Sequence, residues 1–92
     1  MEIGSIKHKA LRKLLEQGNT KGVIEVERVV DMIAFLAAAQ FDELGTPPNF
    51  GFHALTGDRK GVCAMTVTKN WRLTFAVSDE NTIIDLDLED YH

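Results

Sequence analysis

Hydrophobic periodicity changes halfway along this chain, and that change limits what it can fold into more than any other feature. Up to about residue 40 the apolar residues recur at helical spacing; from residue 62 onward they alternate. Residues 7–17 read as a helix with Ala10, Leu11, Leu14 and Leu15 on one side and Gly18 as the stop. Residues 24–40 read as a second helix, with Val26, Val29, Val30, Ile33 and Ala37 as its apolar stripe and Glu25, Glu27, Arg28 and Asp31 on the wet side. Residues 3–6 suggest a short opening strand. Gly45-Thr46-Pro47-Pro48-Asn49 is a loop, because proline fixes the backbone and removes a donor.

The second half predicts strands at 50–55, 62–68, 71–77 and 82–88, the last three joined by short turns into an antiparallel meander. Cys63, Met65 and Val67 face one way and Ala64, Thr66 and Thr68 the other. Trp71, Leu73, Phe75 and Val77 oppose Arg72, Thr74 and Ala76; Ile84, Leu86 and Leu88 oppose Ile83, Asp85 and Asp87. Two helices must then cover one face of the sheet. The expected class is α+β, two N-terminal helices packed on a small antiparallel sheet. With 92 residues the chain suits one domain, residues 1–92.

Cysteine usage and charge narrow the functional classes. Cys63 has no partner for an intramolecular disulfide, which fits a reducing compartment and a buried strand position. One cysteine and three scattered histidines give a structural zinc site little support. No stretch approaches the roughly 20 apolar residues of a membrane span. No signal-peptide core follows the basic start, so no export and a cytoplasmic location are expected. The net charge of −4 speaks against a broad nucleic-acid-binding surface, but it is unevenly placed. Residues 1–22 and 57–72 each carry +3, whereas 23–56 carry −4 and 79–92 carry −6. Two basic segments inside an acidic chain permit RNA contact through a local patch.

Three sets of residues offer chemistry. Arg72 alternates onto the face opposite Trp71, away from the helices if they cover the tryptophan side. The ending Glu89-Asp90-Tyr91-His92 sets an aromatic and an imidazole beside carboxylates, and histidine exchanges protons near neutrality. His53 precedes the Gly57–Gly61 turn, whose tip carries Asp58, Arg59 and Lys60; the cations there suit phosphates. Each set also has an ordinary structural reading: a solvated strand arginine, a tail whose tyrosine packs on the sheet edge, a charged hairpin tip.

Several segments resemble the HigB-type toxins of the RelE-like family. Ile6-Lys7-His8-Lys9-Ala10-Leu11 resembles the family's entry into its first helix. Phe52-His53-Ala54-Leu55-Thr56-Gly57-Asp58-Arg59-Lys60-Gly61 resembles its His-Pro-Leu-Lys-Gly-Asp-Arg-x-Gly turn. Asn70-Trp71-Arg72-Leu73-Thr74-Phe75 resembles its Asn-Trp-Arg-Ile-Thr-Phe strand, and Asp87-Leu88-Glu89-Asp90-Tyr91-His92 its closing Glu-Asp-Tyr-His. The resemblance implies a RelE-like fold and a toxin of a type II toxin–antitoxin system that cleaves messenger RNA on the ribosome. It also implies a HigA-type helix-turn-helix antitoxin as partner and operator DNA contacted only through that antitoxin.

Carried over by motif, the catalytic candidates are His53, Arg72, Asp90, Tyr91 and His92, with Arg59, Lys60 and Lys69 as RNA contacts and no metal or cofactor. The implied reaction is attack of a 2′-hydroxyl on its neighbouring phosphate, which only RNA offers. Arg72 would neutralise phosphate charge, His53 or His92 would move protons, Asp90 would orient a histidine, and Tyr91 would stack on or hydrogen-bond the substrate. The chain departs from the family turn at Thr56, where a lysine is usual: a hydroxyl replaces a compact positive charge. That departure and the acidic balance keep a second reading open, a catalytically weak or inactive homologue that binds the antitoxin and modulates operon repression. A third, a ParE-type gyrase poison, sits poorly with the Asp90-Tyr91-His92 ending.

Overall fold

The computed structural model describes residues 1–79 and 81–90. Five strands form one sheet in the order β1-β5-β4-β3-β2, comprising β1 (Glu2–Ile3), β2 (His53–Ala54), β3 (Val62–Thr66), β4 (Trp71–Ser78) and β5 (Thr82–Asp90). Helices α1 (Lys9–Gln17) and α2 (Val26–Ala38) lie between β1 and β2 in the chain. The meander β3-β4-β5 is antiparallel as expected, but the sheet as a whole is mixed, because β1 runs parallel to β5. A parallel neighbour needs a long crossover, and here the whole helical half precedes the return to β5.

Local chemistry accounts for the helix limits. Lys7 N–H donates to Leu86 O at 2.7 Å, so residue 7 is held by the sheet and α1 begins two residues later than its pattern suggests. His8 caps α1 with an extended backbone, its Nδ1 accepting from Leu11 N–H at 3.1 Å. Gly18 ends it in the left-handed conformation, φ 71°, a C-terminal position that favours glycine.

Helix α2 presents Val29, Met32, Ile33 and Leu36 to the core, rotated from the expected stripe; Val30 and Ala37 stay exposed. Met32 and Leu36 bury more apolar surface than Val30 and Ala37 would, which decides the rotation. Arg28 is not simply wet. Its Nε donates to Val67 O at 2.8 Å and its Nη2 to Asn49 O at 2.6 Å and Thr66 O at 2.9 Å, and the guanidinium lies 5.5 Å from the centre of the Phe50 ring. A helix side chain thereby fastens the proline loop and the end of β3.

Leu11, Leu14, Val29, Met32 and Leu36 from the helices form one apolar cluster with Met65, Leu73, Phe75, Ile83, Leu86 and Leu88 from the sheet. The tryptophan side of β4 is therefore the covered side. Alternation holds in β4 but slips in β5: Ile83, not Ile84, joins Leu86 and Leu88 in the core. The register explains the slip. Thr74 pairs with Asp87 and Ala76 with Ile84, so β5 spends one more residue than β4 over that stretch. The extra residue is Asp85, whose φ of 53° is left-handed, which is the geometry of a β-bulge. Ser5 Oγ accepts the Asp85 N–H at 2.8 Å and satisfies the donor the bulge displaces.

The expected strand at 50–55 shrinks to β2. Gly51 turns with φ 57° and lies against Thr66, where a Cβ would stand 3.0 Å from Oγ1; Phe50 O still accepts from Thr66 N–H at 2.7 Å, but regular pairing with β3 starts only at His53.

Candidate active site on the open sheet face

Residues paired across strands share a face, so the register alone shows what faces away from the helices. One row runs His53, Ala64, Thr74, Asp87 across β2, β3, β4 and β5; the next runs Thr66, Arg72, Glu89 across β3, β4 and β5. His53 and Arg72 therefore stand on the same open face, two strand spacings across the sheet and two residues along it, about 12 Å apart.

His53 is exposed on the edge strand, its Nδ1 3.1 Å from Gly51 O. A carbonyl oxygen only accepts, so the neutral ring keeps its proton on Nδ1 and turns the Nε2 lone pair outward. Arg72 is largely covered, its side chain 18% exposed.

Across β4 and β5 on this face lies an ionic cluster. Arg59, in the single-turn helix Gly57–Arg59, reaches over the face and grips Glu89 with two hydrogen bonds, Nη1 to Oε1 and Nη2 to Oε2, each 2.7 Å. Thr74, only 1% exposed, donates its hydroxyl to Glu89 Oε2, and Arg72 Nη2 lies 4.0 Å from Oε1. The Arg59 hydrogen bonds, aided by the Thr74 hydroxyl and the nearby charges, outweigh partial burial and hold the Glu89 carboxyl down at about 2, while the same pairing raises Arg59. A hollow of about 90 Å³ beside the cluster is lined by Lys7, Arg59, Thr74, Asp85, Asp87 and Glu89, among others.

The remaining candidates fall as follows. Arg59, expected as a free turn-tip cation, is bonded to the sheet instead; the bidentate fit to a carboxylate is what draws it in. Lys60 and Lys69 are exposed, just before and just after β3. Asp90 is exposed at the last position of β5 and pairs with Trp71, so its pleat direction is that of the tryptophan rather than of Glu89. Tyr91 and His92 lie outside the described residues. Cys63 is half-buried, and burial pushes its thiol up, away from the reactive thiolate. Among the described residues no group of three or more His, Cys, Asp or Glu is placed to hold a metal ion, and no helix is long and apolar enough to cross a membrane.

Sequence reasoning passed over Glu89 and Thr74 as site residues. Alternation was a signal for both: Thr74 shares the phase of Arg72, and Glu89 that of Asp87. What it lacked was the register that sets residue 89 beside residue 72.

Comparison with known proteins agrees with this architecture. The structure of YafQ from E. coli strain BL21(DE3) superposes with a TM-score of 0.66 over 97% of this chain and 93% of its own, at 13% identity. A chain of the E. coli DinJ–YafQ toxin–antitoxin complex gives 0.58 over 94% of this chain and 91% of its own, at 14% identity. Identities that low establish a shared fold. In sequence, the chain is 41% identical over 93 residues to the endoribonuclease HigB of Proteus vulgaris, covering 98% of this chain and 99% of that protein. The family model of the RelE-like toxin of the type II toxin–antitoxin system HigB matches residues 4–92. The chain thus belongs to the HigB-like toxins of the RelE-like group.

Proposed function

We propose that this chain is a ribosome-dependent endoribonuclease that cleaves messenger RNA, working in the cytoplasm as the toxin of a pair whose other member is a HigA-type helix-turn-helix antitoxin. Operator DNA is contacted only through that antitoxin. The observation that carries the reading is the shared open face of His53 and Arg72, in a chain 41% identical over its length to a protein named as an endoribonuclease. The toxin–antitoxin description of the family, and the DinJ–YafQ assembly of a fold relative, support the antitoxin as partner.

The proposed chemistry is attack of a ribose 2′-hydroxyl on the adjacent phosphate. The outward Nε2 of His53 suits the base that takes the hydroxyl proton. Arg72 supplies a fixed, partly desolvated charge for the crowded phosphate oxygens, the kind of contact worth roughly 10²–10³ in rate. Resemblance names both histidines as proton carriers without ranking them; with His53 as the base, the proton for the leaving oxygen falls to His92. Resemblance also gives orientation of an imidazole to Asp90, and stacking or hydrogen bonding to Tyr91. While Arg59 and Thr74 hold it, the Glu89 carboxyl sits at about 2 and carries no proton near neutrality. Lys60 and Lys69 flank β3 where an RNA backbone crossing the face would pass.

The test is a translating extract with mapping of transcript 5′ ends. Wild-type protein yields new ends only when ribosomes are present, and His53→Ala or Arg72→Ala removes them. Absence of new ends from a folded wild-type protein that still binds its antitoxin would overturn this reading in favour of a non-catalytic homologue.

A further inference from the structure

Arg59 and Thr74 have no part in the reaction just described, yet both converge on the same carboxylate as Arg72. Glu89 receives two hydrogen bonds from Arg59 and the Thr74 hydroxyl, with the second guanidinium at 4.0 Å. Two cations and a hydroxyl thus surround one planar, two-oxygen anion. A guanidinium fork matches two phosphate oxygens as well as it matches a carboxylate. The Glu89 side chain is 22% exposed and that of Arg59 41%, so the pair opens to solvent, while Thr74 and Arg72 form a drier floor.

We propose that Arg59, Arg72 and Thr74 form a phosphate subsite that the chain itself fills with the Glu89 carboxylate, and that an RNA phosphodiester enters by displacing Glu89. The proposal rests on the nuclease reading above and deepens it, naming the backbone phosphate as the group taken up and Glu89 as an internal competitor. A structural clamp for the Gly57–Arg59 turn needs one cation; the second, 4.0 Å from Oε1, is what a phosphate would use. Lys7 borders the hollow beside the cluster, and Asp85 and Asp87 line it as well. The displaced carboxylate moves toward solvent rather than into that acidic side. Glu89 stays ionised across the neutral range, so phosphate and salt concentration control the exchange, not pH.

The experiment measures binding without turnover. The full chain is titrated with a dinucleotide whose 2′-hydroxyl is methylated, and separately with inorganic phosphate, while arginine Nε–H signals are followed by NMR. Glu89→Gln is expected to bind the dinucleotide roughly ten-fold tighter, the order produced by removing a screened charge close to the ligand. Arg59→Ala is expected to bind roughly ten-fold more weakly. Thr74→Val removes a hydroxyl that Glu89 and the incoming phosphate both use, so its two effects offset and little net change in affinity is expected. A folded Glu89→Gln chain with unchanged or weaker binding overturns the proposal; if that variant does not fold, Arg59 and Arg72 Nε–H signals that stay unmoved as the wild-type chain is titrated with the dinucleotide overturn it. These shifts in a chain that cuts no transcript would sink the nuclease and leave the subsite standing. Transcript cutting without the shifts would do the reverse.

Discussion

The two faces of this sheet are built on opposite rules. The helix-covered face is apolar and satisfied by packing: Met65, Leu73, Phe75 and Leu88 are at most 4% exposed and lie against Leu11, Met32 and Leu36. The open face is polar and satisfied by pairing: Arg59, Arg72 and Thr74 all engage Glu89. Packing tolerates many apolar substitutes of the right volume, whereas pairing depends on particular atoms in particular places. The comparison teaches that stability and chemistry are separated by the pleat, so neighbouring residues of β4 serve different ends.

The sharpest way to break that comparison is at two positions of one strand that face opposite ways. Phe75→Ala should cost ~3–5 kcal/mol as a core truncation and lower the melting temperature by more than about 12 °C, read by thermal denaturation. Arg72→Ala, three residues earlier, should leave the melting temperature within a few degrees yet reduce transcript cleavage by about 10²–10³-fold in the extract assay. If Arg72→Ala melts as early as Phe75→Ala, the faces are not separable. Acid titration probes the open face alone. The folded Glu89 carboxyl at about 2 lies below the ordinary value of 4.5, so its contribution is complete above pH 4.5 and disappears as pH falls from there toward 2. With Arg59 partly exposed, solvent screening reduces that contribution to about 1–2 kcal/mol. Urea midpoints at pH 5 and pH 2.5 should therefore differ less in Glu89→Gln than in wild type. Thr56→Lys would restore the usual family cation at an exposed turn position and should raise cleavage by up to about ten-fold with little change in midpoint. The smallest effect is expected at Asp85→Gly, where a residue with φ of 53° gives way to one that adopts it freely, for a change in stability of about 0.5 kcal/mol or less.

Much of the covered face was legible without coordinates, because alternation and helical spacing are local signals. Leu73 and Phe75 could be set against Arg72 and Thr74 from the run of β4 alone. The parallel pairing of β1 with β5 joins residues some 80 positions apart, and no local pattern encodes it. The slip that brings Ile83 inward depends on a backbone turn at Asp85. Arg28 looked solvated because its partners, the carbonyls of Asn49, Thr66 and Val67, carry no side-chain signature. Within the candidate site, the open-face direction of Arg72 followed from the pleat, whereas the grip of Arg59 on Glu89 required a turn, a strand and a register together.

The bulge at Asp85 gives β5 a reserve that the rest of the strand lacks. Deleting that one residue would let Ile84 and Leu86 flank a regular ladder, with Ile83 and Leu88 still inward and Asp87 and Glu89 still outward. Deleting Asp87 instead would turn every side chain on one side of the cut over, exposing leucine or burying carboxylate. In a length-varied library of this chain, survivors shortened within 84–88 should therefore cluster at codons 84 and 85, where either loss removes the extra residue.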